Sequence, residues 1–357
     1  TLATSHHAPA SSAGPASPSS PASSPAPSQR PTSPGPSSPP VRVAGGIWGA
    51  ALITRDTFNQ DSLTSGDGSL YAIAPGYLVR IDPADGTVVN ETPFTPPIAN
   101  LPIVSGNTVW VVTSYAGTSV VLHGYNAKTL AQVASVIIPV SGQVSTTASG
   151  VLTAGSGGYL YVAAGSDVVV VDPGTHRVVR QISDAGAGPV RSVAVTPDGT
   201  KLYVSTIGVL LVYDPATGAQ LSLSAIPGLP PSLANLVATS GGVWGTTGVG
   251  MTESVRFAPN GSLLGLVGRS PGPGAGLDSV PSYSGGTVWI GGSHTLECAN
   301  PVTGQVLKTV TIPADGGVLE YFGGVTVVSG RTYALYLDDR SHQAGVVRLT
   351  PPAACSG

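Results

Sequence analysis

Residues 197–218 read PDGTKLYVSTIGVLLVYDPATG: a turn, an apolar run, a short gap, a second apolar run and another turn. Asp198-Gly199 is a strong hairpin signal between two strands. Proline after Asp214 fixes φ and removes a donor, which ends a strand, and Gly218 supplies the positive φ from which the next can start. The runs themselves, such as Val209 to Val212, are apolar at consecutive positions, as is Val168 to Val171 further upstream. That pattern fits a sheet covered on both faces and not one with a wet face.

The same unit recurs. LYAIAPGYLVRIDPADGTVV runs from Leu70, TVWVVTSYAGTSVVLHGYNAKTLAQV from Thr108 and YLYVAAGSDVVVVDPGTHRVV from Tyr159. Looser copies follow from Gly242, Thr287 and Arg331. Alignment on the Asp-Pro turn and its substitutes gives Asp82, Asn126, Asp172, Asp214, Ala258, Asn300 and Thr350, spaced 44, 46, 42, 44, 42 and 50 residues apart. Seven copies at about 45 residues each match four-stranded propeller blades. The expected fold is therefore all-β: a seven-bladed β-propeller of antiparallel blades over residues 41–357, preceded by a Pro/Ser/Ala-rich extended arm.

After Thr350 only seven residues remain, too few for the last copy to complete a fourth strand. The β-prone segment Val41 to Trp48 precedes the first full copy, and we expect it to close the ring by supplying that strand. Closure hides the edges that an open repeat array exposes.

Composition agrees with an almost helix-free chain. Its 357 residues include 48 Gly and 33 Pro, both poor in helix interiors. Only 9% are charged and the net charge is -3, so there is no basic stripe for nucleic acid and no polybasic segment for an anionic membrane. No apolar run reaches the length of a bilayer span. The chain opens on Thr1, which fits an exported protein whose leader has been removed, or a chain produced without its natural start. Three Lys against twelve Arg, with abundant Ala, Gly and Val, point to a GC-rich bacterial source.

Residues 1–40 contain Pro, Ser and Ala at almost every position, with Arg30 the one charge, and read as a linker or tether with polyproline II character. Fully extended they would reach about 120 Å at about 3.1 Å per residue. Cys298 and Cys355 are the two cysteines. In an exported chain an even pair favours a disulfide, worth about 4 kcal/mol on the chain-entropy model; two unrelated buried thiols are the alternative.

The stretch VAVTPDGTKLYVSTIGVLLVYDPATGAQL resembles the YVTN-type repeat of bacterial surface and periplasmic proteins, within the wider group of YVTN-type and PQQ-like seven-bladed propellers. The likeness is sharp in the fourth copy, fair in the first three and weak in the last three. It implies a seven-bladed propeller and roles ranging from surface binding and sensing to occasional enzymes. The repeat motif builds the fold and carries no catalytic residue, so no site transfers with it.

Candidate binding residues lie where the copies differ. The loops between second and third strands hold Tyr77, Tyr115, Asp167, Glu253, His294 and the cluster Asp338, Asp339, Arg340 and His342. That cluster could hold a cation or orient a substrate, with Arg340 on an acidic group. In a charge-poor protein the same residues equally serve to solvate an exposed loop. His123 lies in a strand and His176 in a turn of the opposite face, which leaves little for acid-base chemistry. Trp110, Trp244 and Trp289 share one second-strand position and read as interblade packing. Two long interblade loops, Pro227 to Asn235 and Ser270 to Ser279, are candidate protein contacts or tolerated insertions.

The functional expectation is a non-catalytic extracellular propeller for binding or assembly at the cell surface, with no cofactor. Its partner is a protein or a further copy of itself, a cell-wall or small-molecule ligand being a further possibility. In one form it is a filament subunit whose arm docks on a neighbour. The alternatives are the sensor domain of a membrane receptor or kinase, and an enzyme such as a lactonase or lyase.

Overall fold

A computed structural model describes residues 49–56, 62–74, 76–93, 101–115, 119–140, 142, 150–183, 188–226, 233–247, 253–269, 280–292, 295–311, 321–338 and 343–355. All lie in the compact unit Pro34–Gly357. Seven four-stranded antiparallel sheets account for the strands among them. Blade 4, the copy that opens the sequence reading, consists of Ser192–Val195, Leu202–Ser205, Val209–Tyr213 and Gln220–Ala225, from the innermost strand outward. Among the described residues the one helical element is a single 3-10 turn, Ala353–Cys355.

The innermost strands are Thr64–Gly66, Ile103–Ser105, Leu152–Ala154, Ser192–Val195, Ala234–Thr239, Val280–Ser284 and Tyr321–Val328. Each contacts the next in chain order, and the last returns to the first. This is a closed seven-bladed propeller.

Closure uses the seventh blade as a splice between the two ends of the chain. Tyr321–Val328, Arg331–Asp338 and Gln343–Thr350 form its first three strands, and Gly49–Asp56 is the fourth, paired antiparallel from Gly49 opposite Thr350 to Asp56 opposite Ala344. The expected device is present, but the strand begins at Gly49 where the sequence pointed to Val41 to Trp48, which lie outside the described residues. Apolar character continues from Ile47 through Ile53, so only pairing with Gln343–Thr350 sets the register.

The turns after each third strand explain their residues. The side-chain oxygens of Asp82, Asn126, Asp172, Asp214 and Asn300 accept from the backbone N–H two residues on, at 2.7–2.9 Å. Each turn then needs a left-handed residue, supplied by Gly86, Gly218 and Gly304 at φ of 77, 75 and 76°. Leu130 and His176 stand at the same step in blades 2 and 3 and adopt φ of 54 and 56° without being glycine. Just before the turn, the pairing of third with fourth strand shifts register in each of blades 1 to 6, a recurring bulge that sharpens the local twist.

The core lies between blades. One aromatic ring per blade occupies the same second-strand position: Tyr71, Trp110, Tyr161, Tyr203, Trp244, Trp289 and Tyr333, every one buried. Opposite them in the third strands stand Arg80, Gly124, Val170, Val212, Arg256, Cys298 and Arg348. Gly124 makes room for the indole, since a Cβ there would sit 2.8 Å from the Trp110 ring. Burial of Val168 to Val171 on all sides accounts for the unbroken valine run.

Candidate functional site

Because each second strand turns into its third at the same edge of the ring, the candidates that fall in described strands, Tyr77, Tyr115, Asp167, Glu253 and Asp338, stand at one edge. Tyr77 opens the third strand of blade 1 opposite Ala74 and is half-buried. Tyr115 closes the second strand of blade 2 opposite Ser119, Glu253 opens the third strand of blade 5 opposite Thr247, and Asp338 closes the second strand of blade 7 opposite Gln343. They belong to four blades, so topology sets them at separate stations around the edge. The side chains of Tyr115, Glu253 and Asp338, and the whole of His294, Asp339, Arg340 and His342, lie outside the described residues. So do residues 227–232 and 270–279 of the two long loops; Ala234 and Asn235 belong to the innermost strand of blade 5 and not to a loop.

Asp167, at the equivalent station of blade 3, is buried and accepts a 2.7 Å bond from Gln181 Nε2. His123 lies in the third strand of blade 2, within 3.2 Å of Thr113 Oγ1 and 3.4 Å of Gln132 Nε2, and burial lowers its pKa. These are structural arrangements within single blades. Among the described residues no group of three or more His, Cys, Asp or Glu side chains could hold a metal ion. Nor is any helix among them long and apolar enough to cross a membrane.

The opposite face carries a recurring set of contacts between neighbouring blades. Tyr71, Tyr203 and Tyr333 donate their hydroxyls to the carbonyls of Ala127, Pro259 and Pro83, at 2.8, 3.1 and 2.8 Å. Each acceptor directly follows the turn residue of the next blade. Burial pushes the Tyr203 hydroxyl pKa up to about 12, so it remains a donor at any physiological pH. Arginines reach the same turns: Arg80 donates to Lys128 O at 2.8 Å, Arg180 to Pro215 O, and Arg256 to Val302 O and to Thr303 O at 3.0 Å. The Arg256 guanidinium also lies 6.0 Å from the Trp244 ring centre. Between blades 2 and 3 the Trp110 ring meets His176 edge-on at 6.0 Å.

The tyrosine and arginine members of this set escaped the sequence reading, which identified the tryptophans as interblade packing. Cys298 and Cys355 form the expected disulfide, with Cα atoms 5.8 Å apart. Beside it a cleft of about 570 Å³ opens between blades 6 and 7, lined by residues including Gly285, Val327, Gly330, Thr332, Leu349 and Cys355.

A third surface is the rim. Outer strands leave one backbone edge unpaired, and sheet edges are ordinarily guarded by charges or proline. Here Gln220–Ala225 of blade 4 carries no charge, while Leu221 and Leu223 are each 54% exposed. Leu263, Leu264 and Leu266 of blade 5 and Val178 and Val179 of blade 3 continue the exposed apolar arc across neighbouring blades.

No protein-family model and no curated protein matches the sequence. Among solved structures the chain is similar to that of BamB from Moraxella catarrhalis, at 16% identity and a TM-score of 0.48, over 84% of this chain and 85% of that one.

Proposed function

We propose that this propeller is a non-catalytic binding or assembly module that works outside the cell, at or beyond the cell surface, through its outer rim. The observation that carries the reading is the apolar arc of blades 3 to 5, whose middle outer strand, Gln220–Ala225, is uncharged and exposes Leu221 and Leu223, in a chain with few charges anywhere. Exposed apolar patches of this kind mark protein contacts, and an open sheet edge adds backbone groups that a second polypeptide can pair. The disulfide supports an oxidising compartment. In this reading residues 1–40 are a tether or arm, and one form of the assembly is a filament in which that arm reaches the next subunit. The blade 4 motif supports kinship with YVTN-type repeats, since its turns and strands fall where that repeat requires.

Electron microscopy and sedimentation of the full chain test the reading. Concentration-dependent particles or polymers are expected, dispersed by Leu221→Lys with Leu223→Lys at unchanged melting temperature. Monodisperse propellers at every concentration would sink the assembly form.

A further inference from the structure

The seams of the propeller follow one rule, and blade 6 meets it with different chemistry. At the other seams a blade fastens onto the chain just after the third strand of the next blade, through a tyrosine hydroxyl, an arginine or an aromatic edge. Blade 7 offers no such turn, because its fourth strand, Gly49–Asp56, comes from the other end of the chain. After Thr350 the backbone runs through Pro351 and Pro352 into the turn Ala353–Cys355, closed by a 2.8 Å bond from Cys355 N–H to Pro352 O.

This C-terminal turn receives what the other turns receive. Cys355 O accepts from Thr287 Oγ1 of blade 6 at 3.2 Å. Cys298 stands opposite Trp289, the station that Arg80 holds opposite Tyr71 and Arg256 opposite Trp244. Nearer the axis the seam is held by hydrogen bonds, Val325 N–H to Ser282 Oγ at 3.2 Å and Val327 N–H to Ser284 Oγ at 2.8 Å. Beside the disulfide lies the cleft described above.

We propose that the Cys298–Cys355 disulfide is a covalent seam latch: it replaces the arginine pin of blades 1 and 5, makes Pro351–Cys355 a surrogate for the missing turn, and makes closure between blades 6 and 7 depend on redox state. Opening is thiol–disulfide exchange with a dithiol reductant. Its thiolate attacks one sulfur of the pair to give a mixed disulfide and a cysteine thiolate; its second thiol then displaces the other cysteine. Two electrons and two protons pass to the pair, and the reductant leaves as a cyclic disulfide. Closing runs the same exchange backward against a disulfide-bearing oxidant.

Hydrogen exchange on the full chain, oxidised and after treatment with a dithiol reductant, tests the latch. Reduction is expected to speed exchange on the order of 100-fold in Thr295–Ala299, Arg331–Asp338 and Gln343–Thr350, while Leu160–Ala164 and Leu202–Ser205 stay protected. No change in the first set, or an equal change in all blades, would overturn the proposal. A paired comparison separates position from mere loss of a crosslink. Cys298→Arg with Cys355→Ala should protect blade 7 better than Cys298→Ala with Cys355→Ala, and be insensitive to reductant. Equal protection in the two would show that residue 298 is not a pin station, and the proposal would fail.

Discussion

Blades 4 and 7 are built from the same repeat but are held in different ways. Blade 4 is a contiguous segment: its third strand ends at Tyr213, the carboxylate of Asp214 caps the turn that follows, and Gly218 at positive φ leads into the outer strand Gln220–Ala225. Every bond that blade 4 needs to be complete is local in sequence. Blade 7 has no such turn, and its outer strand arrives from nearly 300 residues away in the chain, Gly49 lying opposite Thr350. The difference shows what a ring of repeats requires at its joint. Local turns suffice wherever a blade runs into the next, and long-range strand exchange with a crosslink takes over where the ring closes.

The largest effect should come from removing the exchanged strand. A chain beginning after Asp56 leaves Gln343–Thr350 as an open edge, and we expect it to lose more than about 5 kcal/mol, read as collapse of the cooperative thermal transition by circular dichroism. Retention of a sharp transition would mean that blade 7 is as self-sufficient as blade 4. Within the contiguous blades, Trp244→Ala should cost about 3–5 kcal/mol in denaturant midpoint, because it empties a fully buried ring site at the seam of blades 5 and 6. Gly124→Ala should cost about 1–3 kcal/mol, since the added Cβ would lie 2.8–3.1 Å from the Trp110 ring and Ala134. Tyr71→Phe and Tyr333→Phe each delete one hydroxyl donor across a seam, at about 1 kcal/mol with unchanged denaturant slope. Equal costs for the two would show that the seam between blades 7 and 1 is as firm as that between blades 1 and 2.

The smallest effects are those of pH. Backbone N–H groups of Gly174 and Ala216 hold Asp172 and Asp214 below the ordinary carboxylate range. Their folded pKa values lie under the unfolded one, so their contribution is complete above the unfolded value and fades as pH falls through the folded one. Glu297 of blade 6 has the opposite sign. Burial raises its pKa, partly countered by the Thr309 hydroxyl, so its ionised form becomes a liability as pH rises through the raised value. Urea midpoints between about pH 3 and pH 7 should show Asp214→Asn flattening the acid limb and Glu297→Gln raising stability at the neutral end.

Much of the molecule was legible from residue types. Asp or Asn followed by a glycine four positions on marks a turn because both requirements, an oxygen for the N–H two residues ahead and a positive φ, are local. The valine runs, the tryptophans and the copy number follow from the same short-range rules. Gly49 to Asp56 was placed eight residues early because an uninterrupted apolar stretch carries no register of its own. The pins were harder still: nothing about Arg80 or Arg256 alone separates a seam residue from a surface charge, since their acceptors lie 46–48 positions away in the next blade. Strand order alone decides at which edge a hairpin residue such as Tyr77 stands, whereas convergence of side chains depends on the ring.

By itself the sequence determined the number of blades and the place of the turns after the third strands of blades 1 to 6, and favoured a pairing of its two cysteines, all of which depend on residues near one another or on simple count. Only the tertiary structure decided that Cys298 sits at an arginine station, that the C-terminal turn stands in for a missing one, and that the chain closes on itself through Gly49–Asp56. Those are relations between segments that meet only once seven sheets have been packed around a common axis, and no local preference encodes them.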